Sequence, residues 1–163
     1  MKNKVAVVGG GYWGKNLIRN FFELGCLSVI CDSNDLLRDT YEKNYPGVEF
    51  TSDFGHVLGN EEIQGIVLAT PAATHYKMAK EALHAGKNVF VEKPLALGVN
   101  EGEELVSLAE KAPLVLMVGH ILQYHNAVLK LKELINAGEL GKIDYIYSNR
   151  LNIGKIRSEE NIL

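Results

Sequence analysis

The sequence contains few cysteines, no long apolar run and no excess of positive charge. Cys26 and Cys31 are its only cysteines, and neither C-x-x-C nor H-E-x-x-H spacing occurs, so we expect reduced thiols and no metal site. The apolar runs have the length of strands, which argues against a transmembrane helix. A formal net charge of -3 without a basic stripe disfavours nucleic acid as a partner. These absences predict a cytoplasmic protein that binds neither membrane, metal nor nucleic acid.

A glycine-rich turn lies close to the beginning of the chain. The apolar run at 5–8 leads into Gly9, Gly11 and Gly14, and a helical pattern of apolar residues follows. This G-x-G-x-x-G spacing is typical of dinucleotide-binding folds, because Gly9 permits a sharp turn, Gly11 lets a pyrophosphate approach the backbone and Gly14 lets the helix pack closely on the strand. The helix N-terminus would then face the phosphates. A turn of this kind that binds no ligand is the alternative, and both interpretations are open at this point.

An acidic residue ends the second predicted strand. Asp32 follows the apolar run at 27–31 and lies 18 positions after Gly14. A dinucleotide-binding fold has a carboxylate near this position, where it accepts hydrogen bonds from the adenosine ribose. The alternative is an aspartate that caps the next helix, although Ser33 and Asn34 suit that task equally well.

The charge of Asp32 also bears on the choice of cofactor. A carboxylate repels a 2′-phosphate, so the sequence favours NAD over NADP. Arg38 lies further along the chain and can stack on an adenine or bind a phosphate, which leaves NADP open as the alternative.

Apolar runs and amphipathic segments alternate from the first strand to residue 119. This alternation predicts a doubly wound α/β fold with a parallel sheet, and we assign residues 1–119 to a dinucleotide-binding domain. Caps are expected at two helix starts, by Thr74 for the helix at 75–85 and by Asn100 with Glu103 for the helix at 101–111.

The pattern changes after Gly119. A polar and aromatic connector is followed by an amphipathic helix at 127–137, a tyrosine-rich strand at 142–151 and a polar tail at 152–163. One helix and one strand do not make an independently stable sheet. We therefore expect residues 120–163 to be the start of a second, incomplete α/β domain.

The turn after the fifth predicted strand carries groups suited to chemistry. Glu92-Lys93-Pro94 lies at the carboxyl edge of the sheet, where ligands of such folds bind. Lys93 offers a cationic donor for a substrate oxygen and can exchange a proton, Glu92 offers a carboxylate, and Pro94 restricts the backbone. A surface Lys-Pro turn without function is the alternative.

Five motifs occur along the chain in a fixed order: Gly9-x-Gly11-x-x-Gly14, Asp32 after strand two, Ala69-Thr70-Pro71 with His75 downstream, Glu92-Lys93-Pro94, and Gly119-His120. In this order and spacing they resemble the Gfo/Idh/MocA oxidoreductase family. The resemblance implies an N-terminal Rossmann domain, a bound nicotinamide cofactor and a C-terminal domain on an open, mostly antiparallel sheet. It also implies a longer protein that forms homo-oligomers through that sheet.

The resemblance assigns roles to individual residues. Lys93 corresponds to the family's catalytic lysine, and Glu92 would lie near the nicotinamide ribose. His120 is a second catalytic candidate that would border the nicotinamide or the substrate, or else a loop histidine satisfied by backbone. The cofactor would be contacted by Gly9, Gly11, Tyr12, Trp13, Gly14, Asp32, Arg38, Thr70, Pro71, His75, Glu92 and Lys93.

A narrower resemblance concerns the substrate. The segments at 11–14, 124–125 and 147–157 are similar to sugar-nucleotide 3-dehydrogenases, which oxidise UDP-N-acetylglucosamine or its uronic acid at C3. It implies that the substrate is contacted by Lys93, Tyr124, His125 and Arg150. Tyr124 fits equally well as a packing aromatic at the start of a helix.

The expected function is that of an NAD-dependent oxidoreductase. It would transfer hydride between a secondary alcohol of a sugar or sugar nucleotide and nicotinamide. One alternative is an isolated NAD-binding module without turnover of its own, because the second domain would normally shape the substrate pocket. Another is a nucleotide-binding regulatory protein on the same fold, although the Glu92-Lys93-Pro94 turn counts against it.

Overall fold

Between residues 4 and 149, which the computed structural model describes, six short strands form one sheet whose neighbouring strands are all parallel. The strands lie in the spatial order β3-β2-β1-β4-β5-β6 and are β1 (Val5–Val8), β2 (Leu27–Cys31), β3 (Glu49–Thr51), β4 (Gly65–Leu68), β5 (Asn88–Val91) and β6 (Leu116–Val118). The helices of the same residues are α1 (Gly14–Glu23), α2 (Arg38–Asn44), α3 (Phe54–Gly59), α4 (Ala72–His84), α5 (Val99–Lys111) and α6 (Asn126–Asn136).

The sheet is covered on both faces because successive side chains of each buried strand point in opposite directions. Ala6 and Val8 of β1 pack with residues of α3, α4 and α5, whereas Val7 packs with residues of α1 and α2. Ile18 of α1 and Leu105 of α5 are both 0% exposed, one in each core. Full burial of such a side chain contributes about 1.5–3 kcal/mol. The predicted doubly wound parallel sheet is confirmed.

The chain divides into two units, of which the first ends at Gly119 and the second begins at His120. The first unit contains the whole sheet. The second, described to residue 149, contains a 3-10 turn at Ile121–Tyr124 and α6. Within residues 4–149 no helix combines the length and the apolar character that crossing a bilayer requires.

The start of α4 differs from the prediction. α4 begins at Ala72, and Pro71, with ψ 143°, is its N-cap residue. Thr74 lies inside the first turn, where its hydroxyl donates to the Pro71 carbonyl at 2.8 Å. The cap predicted at Thr74 is therefore wrong, because the extended backbone of Pro71 already opens the helix three residues earlier.

The start of α5 also lies earlier than predicted. α5 begins at Val99 after Gly98, and the Glu101 carboxylate accepts a hydrogen bond from the Gly98 backbone N–H at 3.1 Å. The carboxylate that reaches back to the helix start is thus Glu101. The predicted pairing of Asn100 with Glu103 is wrong, since a second acidic residue at the same spacing occupies that role.

The second unit differs from its prediction at the strand. α6 begins at Asn126, and His125 is its N-cap residue, whose Nδ1 accepts from the Ala127 N–H at 3.2 Å. Residues 142–149 form no strand, so that prediction is wrong for the part that the structure describes. Alternating side chains are not sufficient, because the backbone of a strand needs a neighbouring strand to pair with. Residues 150–163 lie outside the described residues.

Both cysteines are free thiols. Cys26 is half-buried, and its Sγ lies 3.4 Å from the Phe21 carbonyl. Cys31 lies in β2 and is 3% exposed. Burial, with smaller effects from the charges of Asp32 and Asp53, raises the pKa of the Cys31 thiol from 9.0 to about 11. The folded chain therefore keeps this thiol protonated and unreactive.

The shifted pKa of Cys31 predicts a loss of stability at high pH. Unfolded Cys31 loses its proton near pH 9.0, whereas folded Cys31 keeps it to about pH 11. The unfolded state thus binds fewer protons in this window, and the free energy of unfolding falls as pH rises through it, by on the order of 2 kcal/mol. Urea unfolding at pH 8 and pH 11 measures the fall. Cys31→Ala should remove this part of the fall and Cys26→Ala should retain it; equal slopes in all three proteins would contradict the assignment.

Candidate functional site

The carboxyl ends of the strands meet along one edge of the sheet, which we call the carboxyl edge. Backbone N–H groups of the residues that follow the strands donate to neighbouring strands at 2.8–2.9 Å, from Gly9 to Cys31, Ala69 to Val8, Glu92 to Leu68 and Gly119 to Val91. Asp32 directly follows β2 at the same edge. The strand order reverses between β1 and β4, which is where open α/β sheets bind their ligands.

Two of the motif glycines are required by the chain itself. Gly9 has φ +97°, and a Cβ on it would lie 2.8 Å from the backbone carbonyl of Ala69. A Cβ on Gly14 would lie 1.8 Å from the Gly9 carbonyl oxygen. Both positions need glycine whether or not a ligand binds, because a side chain would collide with backbone.

Gly11 is different. Apart from the two chain neighbours of Gly11, no residue among 4–149 has a heavy atom within 4 Å of a Cβ built on it, and the φ of Gly11 lies outside the left-handed region. Neither space nor backbone conformation within the described residues accounts for glycine here. The open space lies at the turn that leads into the N-terminus of α1, where the partial positive charge favours an anion. Of the two interpretations of the turn, this arrangement favours the one with a ligand.

The Gly10 peptide between these glycines is held from both sides. Its N–H donates to Asp32 Oδ2 at 2.6 Å, and its carbonyl accepts a hydrogen bond from the Tyr41 hydroxyl. The Tyr41 ring also fills the space of a Gly10 side chain, since a Cβ there would lie 2.8 Å from Tyr41 Cε2. Tyr41 was not predicted, because an aromatic residue on the inner face of α2 gives only a packing signal in the sequence.

Asp32 is half-exposed, and its second oxygen accepts from the Asn34 N–H at 2.8 Å. The Asn34 side chain accepts in turn from the Leu36 N–H at 3.2 Å and is the N-cap of the following 3-10 turn. Asp32 is thus not the capping residue. Its carboxylate is fixed beside the glycine turn, and the ribose role stays a prediction.

Arg38 already makes contacts with neighbouring residues, among them Phe50 of β3. Its guanidinium donates to Asp35 Oδ1 at 2.7 Å and to the Phe50 carbonyl at 2.9 Å, and it lies 4.9 Å from the centre of the Phe50 ring. The ion pairs with Asp35 and Glu42 raise the pKa of Arg38 further above its usual range. These contacts engage both terminal nitrogens of the guanidinium.

Trp13 connects the glycine turn to the turn after β5. Its indole Nε1 donates to Glu92 Oε1 at 2.6 Å, across the carboxyl edge. Glu92 is 8% exposed, its Oε2 accepts from the Lys93 N–H at 3.3 Å, and a Cβ on Gly119 would lie 3.0 Å from Oε1. The carboxylate is therefore fixed on three sides. Tyr12, which precedes Trp13, is by contrast 74% exposed, and Lys15 Nζ lies 5.1 Å from the centre of its ring.

Lys93 is exposed at the same edge, and its peptide bond to Pro94 is cis. Among residues 4–149 no carboxylate lies within 4.0 Å of Lys93 Nζ and no side chain hydrogen-bonds to it. A cationic amine of this kind can donate to an oxygen of a ligand. The residue that carries this amine thus directly follows Glu92, whose carboxylate is buried and fixed.

His75 lies beneath the edge and not on it. Its residue is 1% exposed, Nδ1 lies 2.7 Å from the Pro94 carbonyl oxygen, and Nε2 lies 2.8 Å from the Thr70 carbonyl oxygen. The resemblance implied that His75 lines the cofactor, but the ring contacts the chain itself. Thr70 is half-buried and Pro71 is exposed at the end of β4.

The remaining predicted residues belong to the second unit. His120 and Tyr124 are exposed, and His125 uses its ring to cap α6. Arg150 lies outside the described residues. Their catalytic and substrate roles stay predictions. Within residues 4–149 no group of three or more His, Cys, Asp or Glu side chains is placed to hold a metal ion.

Residues 3–120 match the model of an oxidoreductase family described as having an NAD-binding Rossmann fold. The chain belongs to the Gfo/Idh/MocA oxidoreductase family. The family resemblance read from the motifs is therefore confirmed. Residues 3–120 include the glycine turn, Asp32 and the Glu92-Lys93-Pro94 turn.

Relatives within the Gfo/Idh/MocA family differ in the reactions that they are named for. A 2,7-anhydro-N-acetylneuraminate hydratase of Mediterraneibacter gnavus is 29% identical over 145 residues, which cover 89% of this chain and 38% of the hydratase. A UDP-N-acetylglucosamine 3-dehydrogenase of Acidithiobacillus ferrooxidans is 27% identical over 160 residues, which cover 95% of this chain and 47% of the dehydrogenase.

A solved structure shows the same fold with cofactor. GenD2 from gentamicin A biosynthesis, in complex with NAD, superimposes with a TM-score of 0.79 at 28% identity and covers 85% of this chain and 40% of its own. This chain thus spans less than half the length of each of these three proteins. The family match shows that this chain contains an NAD-binding oxidoreductase domain. Members of the family are named for different substrates.

Proposed function

We propose that this chain is the NAD-binding part of a dehydrogenase that acts on a secondary alcohol of a sugar or sugar nucleotide. The observation that carries the proposal is Gly11, a motif glycine that the chain does not need, with open space where a side chain would lie. Asp32 lies next to it and offers a carboxylate to a ribose. NAD fits these residues, because its pyrophosphate needs close backbone approach and its ribose needs an acceptor.

NAD is proposed over NADP on the basis of charge. The half-exposed Asp32 carboxylate would repel a 2′-phosphate. Arg38, the residue that the sequence offers to bind that phosphate, already donates to Asp35, Glu42 and the Phe50 carbonyl. The balance of charge around the adenosine ribose therefore favours free hydroxyls.

The residues of the β5 turn would supply the proton chemistry. NAD, when bound, supplies or accepts a hydride at its nicotinamide ring. Lys93 Nζ would accept the hydroxyl proton of the substrate as the alcohol is oxidised and return it in the reverse reaction. Glu92, fixed by Trp13 and the Lys93 N–H, would accept from a ribose hydroxyl of the cofactor.

The proposed substrate is UDP-N-acetylglucosamine or a close relative, oxidised at C3. Its support is the similarity to the Acidithiobacillus ferrooxidans dehydrogenase together with the Gly-Tyr-Trp-Gly turn at 11–14. The substrate pocket requires parts of the protein beyond those that the sheet provides, so cofactor binding is the activity to test first.

NADH binding can be measured through the single tryptophan of the chain, Trp13. Because Trp13 lies in the glycine turn, bound NADH should quench its emission and emit in its place through energy transfer. We expect a saturable signal that NAD and ADP-ribose compete away, with NADPH at least about tenfold weaker, a difference of about 1.4 kcal/mol. Trp13→Phe is the control without a donor.

Two outcomes would count against the proposal. Absence of both energy transfer and competition would remove the dinucleotide function altogether. Equal or tighter binding of NADPH would remove the role of Asp32 in cofactor choice. Binding without turnover of UDP-N-acetylglucosamine would identify the chain as a cofactor-binding module.

A further inference from the structure

We propose that His75 is a positioning residue that holds the Lys93-Pro94 turn against the end of β4. Through that turn it would set where Lys93 presents its amine, and in this respect the inference rests on the proposed role of Lys93. The ring itself cannot reach a ligand, because the residue is 1% exposed and both nitrogens face backbone carbonyls.

The contacts of the ring join two neighbouring strand ends. Pro94 directly follows Lys93 after β5, and Thr70 follows β4, the adjacent strand of the sheet. The ring spans their carbonyl oxygens at 2.7 and 2.8 Å. A carbonyl oxygen that loses its donor away from water is destabilising. Moving either turn away would separate its carbonyl oxygen from the ring nitrogen that it faces, and this is unfavourable.

The ring is held by a rigid element. His75 is the fourth residue of α4, whose Ala79, Ala82 and Leu83 are buried in the core of the sheet. The hydroxyl of Thr74 also lies 2.8 Å from both the Pro71 carbonyl oxygen and Thr70 Oγ1, so the helix start is tied to the same strand end. α4 thus fixes the ring, and the ring fixes the two turns.

A histidine suits this position because it has two nitrogens on opposite sides of a rigid ring. A neutral imidazole carries one N–H and donates to one of the two carbonyls at a time, whereas an imidazolium donates to both. Leucine has a similar bulk and no donor. Glutamine keeps two N–H donors on one nitrogen. His75→Leu therefore removes the contacts, and His75→Gln retains donors to the carbonyls.

Hydrogen exchange of the cofactor-free chain tests the positioning directly. In His75→Leu the backbone amides of Lys93 and Gly98, which donate to the carboxylates of Glu92 and Glu101, should exchange at least about tenfold faster than in the wild type, which corresponds to about 1.4 kcal/mol of lost protection. Those of β2, at 27–31, should keep their rates. His75→Gln should recover most of the difference. In the wild type, a ring N–H of His75 should exchange slowly with solvent in NMR spectra, a test that needs no variant.

Unchanged exchange at Lys93 and Gly98 in His75→Leu would overturn the proposal, as would a wild-type ring N–H that exchanges at the rate of an exposed histidine. Uniform acceleration that includes 27–31 would show only a general loss of stability and would also overturn it.

Cofactor titrations separate positioning from the proposed function. NADH affinity should fall at least about tenfold in His75→Leu, while ADP-ribose affinity, which depends on the glycine turn and Asp32, should change less than about twofold. Equal losses for both ligands would contradict positioning of the β5 turn. If the wild type bound neither ligand, the proposed function would fail, and the exchange rates would still decide the role of His75.

Discussion

Replacement of Gly11 by alanine is expected to weaken NADH binding at least about tenfold, or by about 1.4 kcal/mol, without loss of stability. Apart from its two chain neighbours, no described residue has a heavy atom within 4 Å of the new methyl group, so it would occupy only the space proposed for the pyrophosphate. The free energy of unfolding should stay the same or rise by up to about 1 kcal/mol, since alanine restricts the unfolded chain. Titration with NADH and urea unfolding measure the two quantities.

Gly14→Ala is the matched control for Gly11→Ala. The same methyl group would lie 1.8 Å from the Gly9 carbonyl oxygen, a backbone atom that cannot move without shifting the turn. We expect a loss of more than about 3 kcal/mol of stability, at or beyond the upper end of overpacking effects. A Gly11→Ala chain that bound NADH like the wild type would show that no ligand approaches this backbone.

If the whole protein is the dehydrogenase that we propose, Lys93→Met is expected to reduce its turnover by about 10²–10⁴-fold, the usual contribution of one acid–base group. The amine has no partner among the described residues, so its removal should leave the free energy of unfolding within about 0.5 kcal/mol of the wild type. The measurement is the steady-state rate with NAD and UDP-N-acetylglucosamine, together with urea unfolding of the same proteins.

Lys87→Met is the control for Lys93→Met, because we expect it to lower stability and to spare turnover. Lys87 is 7% exposed, and its Nζ donates to the carbonyls of Asn60 and Ile63 at 2.7 and 2.8 Å, at the opposite end of β5 from Lys93. Its loss should cost roughly 1–3 kcal/mol of stability, because buried acceptors lose their donor, and should spare turnover. Full turnover in Lys93→Met would remove Lys93 from the chemistry.

The sheet was predictable because its signals are local. Most of the parallel strands are short and rich in apolar residues, and Gly9 and Gly119 directly follow β1 and β6. The strand predicted at 142–151 is wrong over 142–149, the part that the structure describes. Its alternation is also local, but a strand exists only with a neighbour, and the described residues offer it none.

The contacts that join the site could not be predicted from spacing. Trp13 and Glu92 are 79 residues apart, and Tyr41 and Gly10 are 31 apart, so their hydrogen bonds exist only once the sheet has formed. His75 shows the limit most clearly. Its motif indicated a site residue, but only the fold shows that both ring nitrogens are taken by the chain.

The hydrogen bonds of Asp32 and Tyr41 to the Gly10 peptide have a thermodynamic consequence. Fixing the backbone of one residue costs about 1–2 kcal/mol of conformational entropy, and here that cost is met when β2 and α2 fold around the turn. A dinucleotide would therefore meet a preorganised loop and would not have to order it. Folding and cofactor affinity are then linked quantities: a change at Tyr41 that loosens the turn lowers affinity from a position that touches no ligand.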